Sequence, residues 1–205
     1  MNATDGALDR EMMARAIALS RASGEAGEYP YGAVICRDGR VVAESINRVT
    51  AAGDVTRHAE VVAISEAQKF LGTVDLADCT IYVNAEPCAF CSYAIRESRI
   101  GRVVYALSSP HMGGLSKWPV LDDRDLSDAV PEVFAPPPEI VSGLMAAEAE
   151  EAIRQWNPIA ARVLEKRQLF DADGQTRVVN RRVAGLAQRV MAALRRTFFD
   201  RFGRR

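Results

Sequence analysis

The chain has 205 residues, 48% of them hydrophobic and 26% charged, with a formal net charge of −1. That length suits one well-packed domain rather than two, and the composition excludes disordered and collagen-like classes. No apolar run nears the roughly 18 residues of a membrane span, and Met1–Arg10 carries Asp5 and Asp9 without an apolar stretch. Neither a span nor a secretory signal is therefore expected, and the expected compartment is the cytoplasm.

The elements follow in order. Met12, Met13, Ala16, Ile17 and Leu19 recur at helical spacing, predicting a helix over 8–23 that ends at Gly24 and Gly27. Strands are expected at 32–36 and 41–45, joined by a hairpin turn at Asp38-Gly39. A helix from about His58 carries Val61, Val62, Ile64 and Ala67 on its buried side and stops near Gly72. Thr80–Val83 reads as a third strand, Pro87 as a first-turn residue of a helix holding Cys88 to Ser98, and 102–106 as a fourth strand. The stretch 108–138 is irregular, 139–141 predicts a fifth strand, and a helix from about Leu144 is kinked or divided at Pro158. Alternating strands and helices predict a layered α/β domain. No glycine-rich phosphate loop appears, so no nucleotide cofactor is expected.

Four cysteines, at 36, 79, 88 and 91, make no dense disulfide framework. Cys88 and Cys91, three apart at a helix start, suit a metal in a reducing compartment. Two thiolates and His58 would give zinc three ligands and leave a fourth position open. Cys36 or Cys79 could close that position and make the site structural, although both sit in apolar strands that favour core packing. His58 and Glu60 are two apart and would point about 200° apart on a regular helix. They can share a site only at an irregular first turn.

The words His58-Ala59-Glu60 and Pro87-Cys88-Ala89-Phe90-Cys91 match the H-x-E and P-C-x-x-C signature of zinc nucleobase deaminases. Over Tyr29–Ala106 the chain resembles the cytidine deaminase superfamily, in its guanine deaminase and tRNA adenosine deaminase branch. The resemblance implies a three-layer α/β/α fold with a mixed five-stranded sheet and two metal-bearing helices side by side. It also implies zinc held by His58, Cys88 and Cys91, with Glu60 shuttling protons. The reaction would be hydrolytic removal of an exocyclic amino group, as ammonia, and the assembly a homodimer. Asn47, after the second strand, would read the edge of the base. Glu86 before Pro87 is read as positioning a loop.

The substrate expected is a small nucleobase, nucleoside or related amino-heterocycle of guanine or cytosine type. Tyr29–Val34 resembles the guanine deaminase entrance, and the body is acidic. A tRNA adenosine is the alternative, since Ser98–Val104 resembles the tRNA enzymes; a non-catalytic zinc-stabilised binding module is a further one. The loop Ser108–Trp118 matches neither branch, and His111 and Trp118 within it are candidates for contacting the base or for packing. The expected division is a zinc deaminase domain at 1–170 and a basic amphipathic extension at 171–205, with a hinge at 171–174. From Asp171 onward nine arginines meet three acids, about +6, leaving residues 1–170 near −7. Val183, Leu186, Val190, Leu194 and Phe198 recur at helical spacing in that extension. It would suit RNA, a membrane surface or a partner groove, or pack as a peripheral helix.

Overall fold

The computed structural model describes residues 3–172 and 176–180. In chain order the elements are α1 (Ala3–Glu25), β1 (Gly32–Arg37), β2 (Arg40–Ile46), α2 (Val49–Ala52), α3 (Ala59–Leu71), β3 (Cys79–Ala85), α4 (Ala89–Glu97) and β4 (Arg102–Leu107). After them come α5 (Arg124–Ala129), β5 (Glu139–Ser142), α6 (Ala146–Trp156), α7 (Pro158–Lys166) and β6 (Arg177–Asn180).

The strands form one mixed sheet in the order β2-β1-β3-β4-β5-β6. Pairing is parallel between β3 and β4 and between β4 and β5, and antiparallel elsewhere. The sheet has six strands, not five. β6 pairs Val178 with Val141, which brings residues read as the start of an extension to the sheet edge. Asp171, placed in a hinge by sequence, exchanges two backbone hydrogen bonds with Ser108. The basic helix expected from Val183 onward lies outside the described residues.

Strand alternation creates two cores. Val34, Cys36, Tyr82, Val104, Ala106 and Val141 face α1 and α6, meeting Met13, Ile17, Ala149 and Ile153. Ala33, Ile35, Ile81, Val83, Val103, Tyr105 and Ile140 face the other way, against Ala59, Ala63 and Ala67 of α3 and Ile95 of α4. This is the expected three-layer α/β/α arrangement.

A charged network ties α1 to the sheet. Arg102 binds Asp9 through two hydrogen bonds of 2.7 Å, and also reaches Glu139 at 3.0 Å. Tyr82 donates to the same Asp9. Asp9 is buried among apolar groups, so the pairing and the Tyr82 bond offset its desolvation. Among the described residues no helix is long and apolar enough to cross a membrane.

Candidate metal centre

The two metal-bearing segments both enter helices from extended backbone. His58 is the N-cap of α3, with φ −61° and ψ 147°, and Cys88 is the N-cap of α4, with φ −65° and ψ 168°. Pro87 therefore lies just outside α4 rather than in its first turn. Because His58 precedes the helix, its ring escapes the 200° rule and turns towards the cysteines. Both helix N-termini approach the same point, and their unpaired N–H groups and dipoles favour thiolate there.

The donor atoms lie close together. His58 Nδ1 is 3.3 Å from Cys91 Sγ and 3.7 Å from Cys88 Sγ. With bonds of about 2.0–2.3 Å, a tetrahedral zinc sets its nitrogen and sulfur ligands about 3.5 Å apart. These two distances bracket that value, so the three residues fit zinc. Among the described residues this is the one group of three or more His, Cys, Asp or Glu that could hold a metal. Cys36 and Cys79 are buried in the sheet, where burial pushes both thiols up to about 11. Neither closes the site, and the structural-zinc alternative falls.

The protons around the site are uneven. The Cys91 thiol, and then His58, hold Cys88 well below the usual thiol value, at about 4. Glu60 is buried, 6% exposed, in the first turn of α3. Burial, reinforced by the Cys88 thiolate, pushes its carboxyl up to about 7. It stands beside the cluster but outside it, which leaves it free to carry protons.

The floor beyond the ligands is set by Glu86. Its buried carboxylate accepts from the backbone N–H of Ser109, Leu115 and Ser116 and from the Ser116 hydroxyl. This pulls the loop after β4 onto Cys88, which pairs with Gly113, while Gly114 donates to Pro87 O at 2.8 Å. A Cβ at Gly113 would overlap the Glu86 carboxylate, and one at Gly114 the Ser92 hydroxyl. The loop's farther part hangs on Arg96 of α4, a fully buried guanidinium. It donates to Val120 O, Leu121 O, Asp123 O, Ser127 Oγ and Ala135 O.

The substrate candidates fall in different places. Asn47 is buried, and its backbone N–H donates to Tyr31 O. Burial, followed by Glu60 and Cys88, raises the Tyr31 phenol, so this ring lies within electrostatic reach of the site. Phe90 meets His58 edge-on, with ring centroids 5.7 Å apart. His111 is exposed and lines a cavity of about 460 Å³ with Leu107, Phe170 and residues of α6 and α7. Trp118 is 53% exposed, with the Lys117 ammonium 5.7 Å from its ring centre. The Trp118 backbone N–H donates at 2.9 Å to the carbonyl of Gly113, the residue that pairs with Cys88.

Sequence reasoning missed Glu28, whose carboxylate receives the Asn47 side-chain N–H at 3.0 Å. Its partners lie 19 to 23 residues away, beyond any local pattern.

Known proteins agree with this geometry. Residues 7–107 match the family described as the cytidine and deoxycytidylate deaminase zinc-binding region. A tRNA-specific adenosine deaminase from Agrobacterium fabrum is 36% identical over 144 residues, covering 70% of this chain and 90% of that protein. The chain belongs to the zinc-dependent cytidine, guanine and tRNA-adenosine deaminase superfamily. Guanine deaminase from Bacillus subtilis is 49% identical over 77 residues, or 38% of this chain and 49% of that enzyme. A tRNA(Ile)-lysidine synthase from Deinococcus radiodurans is 37% identical over 70% of this chain, yet the match spans only 23% of that longer protein. The solved structure of a tRNA:A34 deaminase superposes with TM-score 0.59 at 35% identity, over 69% of this chain and 98% of that one.

The site in this superfamily member is that of a zinc-dependent hydrolytic deaminase acting on a nucleobase or nucleoside. Bound zinc supplies Lewis acidity and a nucleophilic water at neutral pH. His58, Cys88 and Cys91 would hold the metal. Glu60, its carboxyl raised to about 7, would be placed to carry the protons of the attacking water one at a time, the first to a ring nitrogen and the second to the departing amine. Glu86 and Gly113 hold the wall beside Cys88.

Proposed function

We propose that the chain hydrolyses the exocyclic amino group of a free nucleobase, nucleoside or related amino-heterocycle, releasing ammonia. Glu60 is the proton carrier and Asn47 the residue that meets the base edge. The observation that carries the reaction is the buried Glu60 carboxyl beside, but not within, the His58/Cys88/Cys91 cluster. The small substrate is supported by the charge of about −7 on residues 1–170, which repels a polyanion. It is supported too by the similarity to guanine deaminase. The test is ammonia release from a panel of free bases, nucleosides and anticodon stem-loops by the zinc-loaded chain. Activity on free bases or nucleosides supports the reading, and activity confined to stem-loops overturns it.

The second reading is deamination of a tRNA adenosine. Its specific support is the long match to tRNA-specific adenosine deaminases together with the basic sequence after Asp171. We read the assembly as a homodimer in the cytoplasm. Phe90 and Tyr93 on α4 are large, half-exposed rings of the kind a second copy would cover, and all four cysteines are free thiols. Mass in solution tests the dimer.

A further inference from the structure

We propose that Glu28 is a positioning residue that locks the Asn47 amide in one orientation, so that Asn47 offers its carbonyl oxygen to the heterocycle and selects bases presenting an N–H donor there. This deepens the reading that Asn47 meets the base, and rests on it.

Glu28 lies in the turn after α1, its own N–H bonded to Ser23 O at 3.0 Å. Its side chain is buried, 3% exposed. Oε1 accepts from Ala51 N at 2.7 Å, and Oε2 accepts from Thr50 N and Asn47 Nδ2, each at 3.0 Å. Three N–H groups thus converge on one carboxylate. Burial alone would raise its pKa, but the Thr50, Ala51 and Asn47 hydrogen bonds outweigh that and hold Glu28 below its ordinary value. At neutral pH it is ionised and can only accept.

That fixes the orientation of Asn47. A turned amide would set its Oδ1 against Oε2 of Glu28, two acceptors with no proton between them. The Nδ2 group therefore faces Glu28. Among the described residues no group donates to Oδ1, although Asn47 is only 2% exposed. Oδ1 is not among the fully buried atoms left without a partner, so it stays accessible and is free to accept from a ligand. Tyr31 connects this residue to the site: its carbonyl receives the Asn47 N–H, and its ring feels Glu60 and Cys88. A lactam, imidazole or amino N–H satisfies Oδ1, whereas a ring nitrogen lone pair opposes it.

The experiment uses the zinc-loaded full chain and accepted heterocycles in which each N–H donor and each ring acceptor nitrogen is replaced in turn by C–H. The kcat/KM for ammonia release is measured for the unaltered chain, Asn47→Ala and Glu28→Gln. Loss of one donor should lower kcat/KM by about 10–100-fold in the unaltered chain. That penalty should vanish in Asn47→Ala. It should shrink to about threefold or less in Glu28→Gln, because the glutamine amide can donate to Oδ1 and allow Asn47 to turn. Zinc content should be unchanged in both variants.

If Asn47→Ala alters kcat/KM for no heterocycle, Asn47 does not meet the base and the underlying reading fails. If Asn47→Ala removes the donor penalty and zinc-loaded Glu28→Gln keeps all of it, the inference about Glu28 fails alone. Coupling of Asn47 to an acceptor atom of the base would also overturn the inference, and that readout does not require the Glu28 variant to fold.

Discussion

Glu60 stands two residues after His58, yet both reach Cys91, because α3 begins between them. The imidazole leaves from extended backbone, and the carboxylate leaves from the first helical turn. One residue of helix start separates a metal ligand from a proton carrier that must stay off the metal.

The zinc requirement follows from the cluster. Removing the metal with a chelator should abolish turnover and lower Tm, because two helix N-termini then meet around unpaired thiols. One equivalent of zinc should restore both. Calorimetry and metal analysis check this; a Tm indifferent to chelation would mean that zinc adds nothing to the fold.

The glycine pair beside Cys88 should resist substitution. Gly114→Ala sets a Cβ against Ser92, and a misplacement near 1 Å can cost about 100-fold in rate. Zinc should remain bound in this variant. Ser92→Gly in the same chain removes the obstructing atoms and should recover part of the loss in kcat/KM. A double variant no better than Gly114→Ala would show that the loop fails for another reason.

These features differ in how far sequence reveals them. Asp38 and Gly39 both adopt positive φ, as a two-residue hairpin requires, and Gly72 ends α3 in the left-handed region. Asn157 caps α7 through two N–H groups with Pro158 following, so local chemistry marked that division. The metal ligands were legible because their spacing is itself a motif. By contrast, Glu86 and Arg96 gather partners 23 to 39 residues away in a stretch without periodicity. β6 is a four-residue strand whose place depends on the free edge of β5, and no pattern within Arg177–Asn180 announces that partner. For His111 and Trp118 residue type alone leaves recognition and packing both open, because their placement depends on how the loop is tied down.

Arg96 should prove a main support of that loop. Arg96→Met keeps the buried stem but leaves several carbonyls without a donor, each costing about 1–3 kcal/mol. Unfolding by urea should show a loss of at least about 3 kcal/mol. A change below about 1 kcal/mol would mean that the loop finds other donors or water.

Acid should weaken the turn held by Glu28. Its pKa is depressed in the fold, so its stabilisation is full above the unfolded carboxylate value, near 4.3, and is lost as pH falls through the lower folded value. Glu28→Gln should therefore be less stable than the unaltered chain at pH 7, with the gap narrowing below about pH 4.5. Paired denaturation curves across that window check the sign. A gap that widens on acidification would contradict it.

The most direct test of hydrolytic deamination through Glu60 is Glu60→Gln, assayed for zinc and ammonia release together. The variant should keep one zinc, since Glu60 is outside the three-residue cluster, and lose about 10²–10⁴-fold in kcat. A zinc-loaded Glu60→Gln that turns over within about threefold of the unaltered chain would contradict the account.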